Sequence, residues 1–112
     1  MKKIEAIVRP EKVDEVRRAL EKAGYPGVTI SEVEGHGKQK GVTRQWRGES
    51  YKVDLLPKVL LTIFVDDKQV KKITRVILKS ARTGAIGDGK LFVSPVDNVI
   101  RIRTGEEGPV AI

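Results

Sequence analysis

The sequence predicts an α+β fold made of two strand–helix–strand units in tandem. The first unit runs IEAIV, PEKVDEVRRALEKAG and VTISEVEG, and the second runs VLLTIFV, DDKQVKKITRVILKSARTG and KLFVSPV. Two such units give the order β-α-β-β-α-β of a ferredoxin-like domain, with an antiparallel sheet and both helices on one face. A chain of 112 residues is expected to form this as a single domain, residues 1–112.

The helices are predicted from apolar stripes at helical spacing. The stripe of the first helix comprises Val13, Val16, Leu20 and Ala23. Pro10 suits its first turn and Gly24 its C-terminal cap. The stripe of the second helix comprises Val70, Ile73, Ile77 and Ala81. Asp66 or Asp67 is its predicted N-cap, and Gly84 is expected to close it.

The predicted third strand, VLLTIFV, carries apolar side chains on both of its faces. Its two sets of alternating apolar side chains are Val59, Leu61, Ile63 and Val65 on one side, and Leu60 and Phe64 on the other. An antiparallel sheet with helices on one face usually exposes a polar second face. We therefore expect another subunit to cover this face.

The composition is typical of a folded protein, with 39% apolar and 33% charged residues. No run of about 18 apolar residues occurs, and the opening MKKIEAIVRPEK meets charge too early for a secretory apolar segment. The chain has no cysteine, and a cytoplasmic location is expected. The net charge of +7 favours anionic partners: nucleic acid, phosphates, carboxylate metabolites or an anionic membrane surface.

A long polar linker, HGKQKGVTRQWRGESYKVD (residues 36–54), separates the two units. It is longer than an ordinary hairpin connection, and loops of this length are usually functional or disordered. Trp46 and Tyr51 stand among several basic residues, which suits a mobile segment that inserts into a partner. A disordered solvated loop is the alternative.

The stretch GAIGDGKL (residues 84–91) is almost a P-loop, but Leu91 stands where that motif needs Ser or Thr for Mg²⁺. A P-loop also opens a helix, whereas this stretch follows one. Its glycines and Lys90 can still form a backbone nest for an anion, on which Arg82, Arg101 and Arg103 can converge. A tight turn with solvated charges stays an equal alternative on these residues alone.

Five stretches together resemble the PII nitrogen-regulatory signalling proteins over the whole chain: TGAIGDGKLFV, RIRTGEEG, GHGKQKG, WRGESYK and KKIEAIVRPEK. Two positions depart from the family pattern: Leu91 replaces Ile or Val, and Trp46 stands where a Tyr is common. The resemblance implies a homotrimer, no enzymatic activity, and ATP or ADP bound between subunits. It identifies residues 36–54 as the family's T-loop, 82–90 as a phosphate-binding loop and 101–108 as a C-terminal loop.

The resemblance also implies the ligand contacts. The nucleotide-binding residues are expected to be Thr29, Gly37, Lys38, Phe64, Arg82, Gly87, Asp88, Gly89, Lys90, Arg101 and Arg103, with the two last arginines reaching over from the neighbouring subunit. In the Mg-ATP state, Gln39 would hold Mg²⁺. The 2-oxoglutarate site would comprise Gln39, Lys40, Gly41 and Lys58, with Lys58 on the far carboxylate.

The partner implied first is an ammonium transporter, which Arg47 would enter from the cytoplasmic side. Glutamine synthetase, another nitrogen-metabolism enzyme or a nucleotidylyltransferase are alternatives. Tyr51 matches the family's nucleotidylated tyrosine, whereas Glu49 replaces a serine that some relatives phosphorylate. Nucleic-acid binding is not expected, because the chain has too few aromatic residues for an RNA-binding ferredoxin-like sheet. Membrane insertion is not expected either. A small hydrolase on this fold is also disfavoured, because the chain lacks a paired nucleophile and base.

Overall fold

The computed structural model describes residues 1–25, 27–35, 42–46, 49–53 and 56–112, and of 42–46 and 49–53 the backbone alone. The elements in chain order are β1 (Lys2–Val8), α1 (Val13–Lys22), β2 (Thr29–Gly35), β3 (Val42–Trp46), β4 (Glu49–Val53), β5 (Leu56–Val65), α2 (Val70–Ala81) and β6 (Lys90–Pro95). Four strands form one antiparallel sheet in the order β2-β5-β1-β6. The predicted α+β, ferredoxin-like fold is thereby confirmed.

The hydrophobic core lies between the two helices and one face of this sheet. Alternate residues of β1 and β5 supply the sheet side, and the helices supply the stripes that the sequence predicts. Its fully buried large side chains are Ile4, Val16, Leu20, Leu61, Ile63, Val65, Ile73 and Ile77. A buried aliphatic side chain stabilises a fold by roughly 1.5–3 kcal/mol, so this layer supplies most of the apolar stabilisation of one chain.

The first helix begins and ends as predicted, but the second does not. Pro10 opens a 3₁₀ turn before α1, and Gly24 follows α1 at φ +93°. The predicted N-cap of α2 is wrong, because Asp66 makes no side-chain capping bond and Asp67 pairs with the terminal ammonium of Met1 at 3.0 Å. The helix also ends at Ala81 rather than near Gly84, since the Thr83 N–H donates to a carboxylate outside the helix.

The face of the sheet opposite the helices is partly apolar and partly open. Ile7 and Leu60 are half-buried there, while Phe64 of β5 and Phe92 of β6 are 41% and 49% exposed. In a single chain, therefore, only the helix-facing side of β5 is buried, from Val59 to Val65.

No strand is predicted in the linker from its sequence, whereas β3 and β4 form a separate antiparallel hairpin. Their register runs from Val42 opposite Val53 to Trp46 opposite Glu49. The β-branched and aromatic residues of VTRQW and ESYKV favour extended backbone, and the polar composition of the linker hides this preference.

Candidate functional site

The segment between α2 and β6 folds into a turn around one carboxylate. We call residues 83–90 the glycine turn. Asp88 accepts hydrogen bonds from the backbone N–H of Thr83 at 2.9 Å and of Gly84 at 2.8 Å, and from the Thr83 hydroxyl. The same hydroxyl oxygen accepts the Ala85 N–H at 3.1 Å. The amides of 83–85 are thus used within the turn, while Asp88, Gly89 and Lys90 line the cleft beside it.

Arg9, at the end of β1, joins the glycine turn to the sheet. Its Nε donates to Asp88 at 3.0 Å, and its Nη2 donates to the Ile86 carbonyl at 2.7 Å. No role for Arg9 is predicted from the sequence, because only the pairing of β1 with β6 brings it beside a turn almost eighty positions later. Two signals in the sequence point to it: Arg9 directly follows an apolar strand, and it belongs to the stretch KKIEAIVRPEK that resembles the family.

The hydrogen bond from the Thr83 hydroxyl, and then that from Arg9, hold the pKa of Asp88 well below its usual range. A lowered pKa in the folded state means that the ionised carboxylate stabilises the fold. This contribution is complete above the unfolded pKa of about 4 and is lost as the pH falls through the lower folded value. Near neutral pH Asp88 is ionised, but Arg9 offsets its charge, so it does not repel an anion at the turn.

Gly89 fixes the distance between the glycine turn and β1. Its φ is +91°, and a Cβ built on it would lie 1.7 Å from the Ile7 carbonyl oxygen and 2.7 Å from its carbon. Only glycine allows this approach of two backbones. The turn is therefore seated directly on the strand that carries Arg9.

Lys58, near the start of β5, donates from Nζ to the Gly87 carbonyl at 2.8 Å. Desolvation first, and then the neighbouring Arg9 charge, lower the pKa of Lys58. Gly35 and Leu56 are paired at this same end of the sheet, so both ends of the linker leave beside the glycine turn. Lys58 thus lies between the turn and the base of the linker.

A cleft of about 190 Å³ opens beside the turn, between β1, the end of α2 and the start of β6. Its wall is mixed, with Ile7, Leu78 and Leu91 near Arg82 and Lys90. Ligand sites are commonly about 300–1,000 Å³, so this cleft alone is too small for a nucleoside triphosphate. A nucleotide site at this place therefore needs residues in addition to those that line this cleft.

The structure brings together the part of the predicted site that comprises Lys58, Arg82, Gly87, Asp88, Gly89 and Lys90. Thr29 and Phe64 lie elsewhere on the sheet, since Thr29 pairs with Thr62 and Phe64 with Lys3. Six residues of strand separate Lys58 from Phe64, or about 20 Å. A single nucleotide does not bridge these positions within one chain.

Arg101 and Arg103 follow the far end of β6, in a small hairpin closed by the Ile100–Glu107 bridge. Arg101 donates to Glu106 at 2.7 Å and to the Val110 carbonyl at 2.8 Å. Arg103 is exposed. Arg82 and Lys90 thus lie before or at the first residue of β6, whereas Arg101 and Arg103 follow its last residue. In a single chain, the four cationic residues that the sequence suggests for one polyphosphate are attached at opposite ends of this strand.

Six predicted site residues lie outside the described residues: Gly37, Lys38, Gln39, Lys40, Gly41 and Arg47. Of Tyr51 only the backbone, in β4, is described. In the part of the chain that the structure describes, no three His, Asp or Glu side chains cluster as metal ligands. Neither described helix has the length and apolarity that a bilayer crossing requires.

The relatives found by comparison with known proteins match this chain over its whole length. The family model for Nitrogen regulatory protein P-II matches residues 1–106. Nitrogen regulatory protein P-II 2 of Methanothermobacter thermautotrophicus is 54% identical over 112 residues, which are 100% of this chain and 97% of that protein. Nitrogen regulatory proteins P-II of Nostoc punctiforme and Azospirillum brasilense are 55% and 52% identical, with both chains covered completely.

Proposed function

The chain belongs to the nitrogen regulatory protein P-II family, whose members are signalling regulators and not enzymes, and we propose that it senses ATP or ADP together with 2-oxoglutarate. The observation that carries this proposal is the glycine turn, which Asp88 and Arg9 order before any ligand binds. Gly89 and Lys90 of this turn line the cleft, and glycine-rich backbone next to a cation favours phosphate oxygens. The cytoplasm is the compartment we propose.

The nucleotide site is proposed to lie between two copies of the chain. One copy would supply Gly87, Gly89 and Lys90 for the phosphates, and Arg82 and Lys38 nearby. The next copy would supply Arg101 and Arg103, whose guanidinium groups give forked donors to phosphate. This division accounts for a cleft that is too small in one chain, and for Arg101 and Arg103, which follow the opposite end of β6 from Lys90.

The assembly is proposed to be a homotrimer closed through the open face of the sheet. Phe64 and Phe92 are too exposed there for large aromatic residues of a monomer, and burying apolar surface is the main favourable term in association. Rotational symmetry gives three equivalent interfaces, hence three equivalent nucleotide sites.

The 2-oxo acid is proposed to bind next to the triphosphate through Mg²⁺. Gln39 would supply one oxygen to the metal, with phosphate and 2-oxo acid oxygens completing an oxygen-only shell that Mg²⁺ prefers. Lys40 and Gly41 would line this site. Lys58 would pair with the far carboxylate, and its present bond to Gly87 supports a position beside the phosphates.

Replacing Gln39 by alanine is expected to abolish the dependence of 2-oxoglutarate binding on Mg-ATP. In the unchanged protein the acid tightens ATP binding by the same factor by which ATP tightens the acid. ADP affinity should stay within about twofold, the range of a substitution away from a contact, since the proposal gives Gln39 a contact with Mg²⁺ and none with the nucleotide itself. Titration calorimetry with each ligand alone and in combination measures both effects.

Gln45→Ala is the matched control, because it removes another amide from the same linker. Equal binding of 2-oxoglutarate to the ligand-free and the Mg-ATP-loaded protein would contradict the metal bridge. A Gln45 variant as defective as the Gln39 variant would show a general effect of the linker instead.

The partner we propose is an ammonium transporter, with Arg47 entering the pore. Loops from each subunit of a trimer would meet the pores of a trimeric channel with matched symmetry, so that weak contacts act together. A regulated enzyme such as glutamine synthetase is the second candidate, since the same loop would serve it. Modification of Tyr51 by a nucleotidylyltransferase stays a further proposal.

Arg47→Ala is expected to abolish inhibition of ammonium uptake while nucleotide affinity stays unchanged. Membranes that contain the cognate transporter should retain the unchanged protein in ADP and release it in ATP, Mg²⁺ and 2-oxoglutarate. Arg44→Ala, which removes the same charge three positions earlier, serves as the control. If the Arg47 variant still blocks uptake, the transporter is not reached through this residue.

A further inference from the structure

The positive charge of the chain is concentrated on one exposed strip of α2 and its flanks. We call this strip the α2 basic stripe. It comprises Lys68, Lys71, Lys72, Arg75, Lys79 and Arg82, all of them exposed. Residues 68–82 hold six of the 22 Lys and Arg residues and none of the 15 Asp and Glu residues, so they account for nearly all of the net charge of +7.

The stripe lies on a single side of the helix. At 3.6 residues per turn, Lys71, Lys72, Arg75 and Lys79 project within an arc of roughly 100°. The opposite side of α2 carries Ile73 and Ile77 into the core. The stripe therefore faces away from the sheet, and the open sheet face proposed for trimer contacts lies on the other side of the domain.

Only the end of the stripe favours the helix, since Lys79 lies in its last turn. Lysines in the first turn of a helix oppose its dipole, and like charges three or four positions apart repel each other. The first turn of α2 carries no acidic residue. Among the described residues, none of the six cations forms an ion pair. At the first helix, by contrast, Lys12 pairs with Glu15 and Arg17 pairs with Asp14. Sequence features that reduce stability without local compensation are typical of functional surfaces.

We propose that the α2 basic stripe is a docking surface for the anionic headgroups of a lipid bilayer. A row of four to eight Lys and Arg residues on an amphipathic helix is typical of peripheral binding to anionic lipid. Leu78 borders the stripe and is 45% exposed, which gives the headgroup layer an apolar contact. α2 itself carries no aromatic residue for base stacking, and the Tyr25 ring beside Lys72 is packed against the core. The Thr74 hydroxyl already donates to the Lys71 carbonyl. Lipid fits this surface better than nucleic acid does.

The test compares two triple variants with the same change in charge. The stripe variant is Lys71→Gln, Arg75→Gln and Lys79→Gln, which spares Lys72 beside the Tyr25 ring and Arg82 near the nucleotide cleft. The control variant is Arg17→Gln, Arg18→Gln and Lys22→Gln on α1. Sedimentation with vesicles of equal parts phosphatidylglycerol and phosphatidylcholine measures binding, and pure phosphatidylcholine vesicles give the uncharged reference.

The stripe variant is expected to lose about a hundredfold in affinity for the anionic vesicles, since each Lys or Arg near such a surface contributes about fivefold. The control variant should lose much less, and added salt should release the unchanged protein. Because repulsion is relieved, the stripe variant should unfold at no lower temperature than the unchanged protein. Equal losses in both variants, or no binding to anionic vesicles, would overturn the proposal. Tighter binding to a short DNA duplex than to vesicles, lost in the stripe variant, would assign the stripe to nucleic acid instead.

Discussion

Gly89→Ala is expected to destabilise the chain by about 3–5 kcal/mol, among the largest effects of a single substitution. The added methyl group would overlap the carbonyl of Ile7, at 1.7 Å from its oxygen. Neither group is the end of a flexible side chain, so the backbone of β1 or of the glycine turn has to move. Such movement disrupts the β1–β6 ladder, in which Ile7 pairs with Lys90. Chemical denaturation measures the change in the free energy of unfolding.

Gly84→Ala separates the steric overlap from the backbone conformation. Gly84 has the same φ of +91°, but a Cβ there meets nothing within 4 Å. Its replacement carries only the cost of a left-handed backbone for a residue with a side chain, roughly 1–2 kcal/mol. Equal destabilisation by the two substitutions would contradict the close approach to β1. A Gly89 variant as stable as the unchanged protein would do so as well.

Lys90→Ala is expected to weaken ATP binding by about ten- to a hundredfold. A hydrogen bond to a charged group contributes roughly 1.5–3 kcal/mol, and each 1.4 kcal/mol is a factor of about ten in affinity. Lys90 is exposed at the first position of β6. Its ammonium group therefore makes little difference to folding, and the thermal midpoint should stay almost constant. Titration calorimetry with ATP and with ADP measures the loss.

Lys22→Ala is the control for Lys90→Ala, because it removes an exposed lysine at the end of α1, away from the turn. ATP affinity in this variant should stay within about twofold of the unchanged protein, as expected for a surface substitution. If Lys90→Ala also leaves ATP affinity unchanged, the glycine turn does not bind the phosphates. That result would not affect the proposal for the α2 basic stripe, which depends on other residues.

The organisation of the glycine turn shows why a motif is an incomplete description of a site. Asp88 belongs to the predicted phosphate loop, yet its carboxylate accepts hydrogen bonds from Thr83, Gly84 and Arg9 and so shapes the loop from within. Arg9 in turn holds the Ile86 carbonyl. We therefore interpret Asp88 as the residue that orders the turn, which leaves the glycines and Lys90 as the residues proposed to contact an anion.

Lys58 shows how the two proposed ligands would influence each other. Its ammonium group now binds the Gly87 carbonyl within the glycine turn. A carboxylate that recruits this group would act directly on the glycine turn. Gly35 and Leu56, which flank the linker, are paired at the same end of the sheet, so a change at this point has a short path to the segment proposed to bind the partner.

The sequence by itself determined the fold class, the two helical stripes and the family. These depend on local periodicity and on contiguous motifs, such as the run from Thr83 to Val93, which a linear chain displays directly. It also placed the glycine turn between α2 and β6, because a glycine-rich segment that follows a helix and precedes a strand is fixed by chain order.

Only the tertiary structure decided how these stretches meet. The role of Arg9, the inward direction of Asp88 and the contact of Gly89 with Ile7 all follow from the position of β6 beside β1, a pairing between residues about eighty positions apart in the chain. The N-cap of α2 was mispredicted for a similar reason, since Asp67 is drawn to the ammonium of Met1. Distant partners compete with local ones for the same polar group, and the local sequence does not show which of them wins.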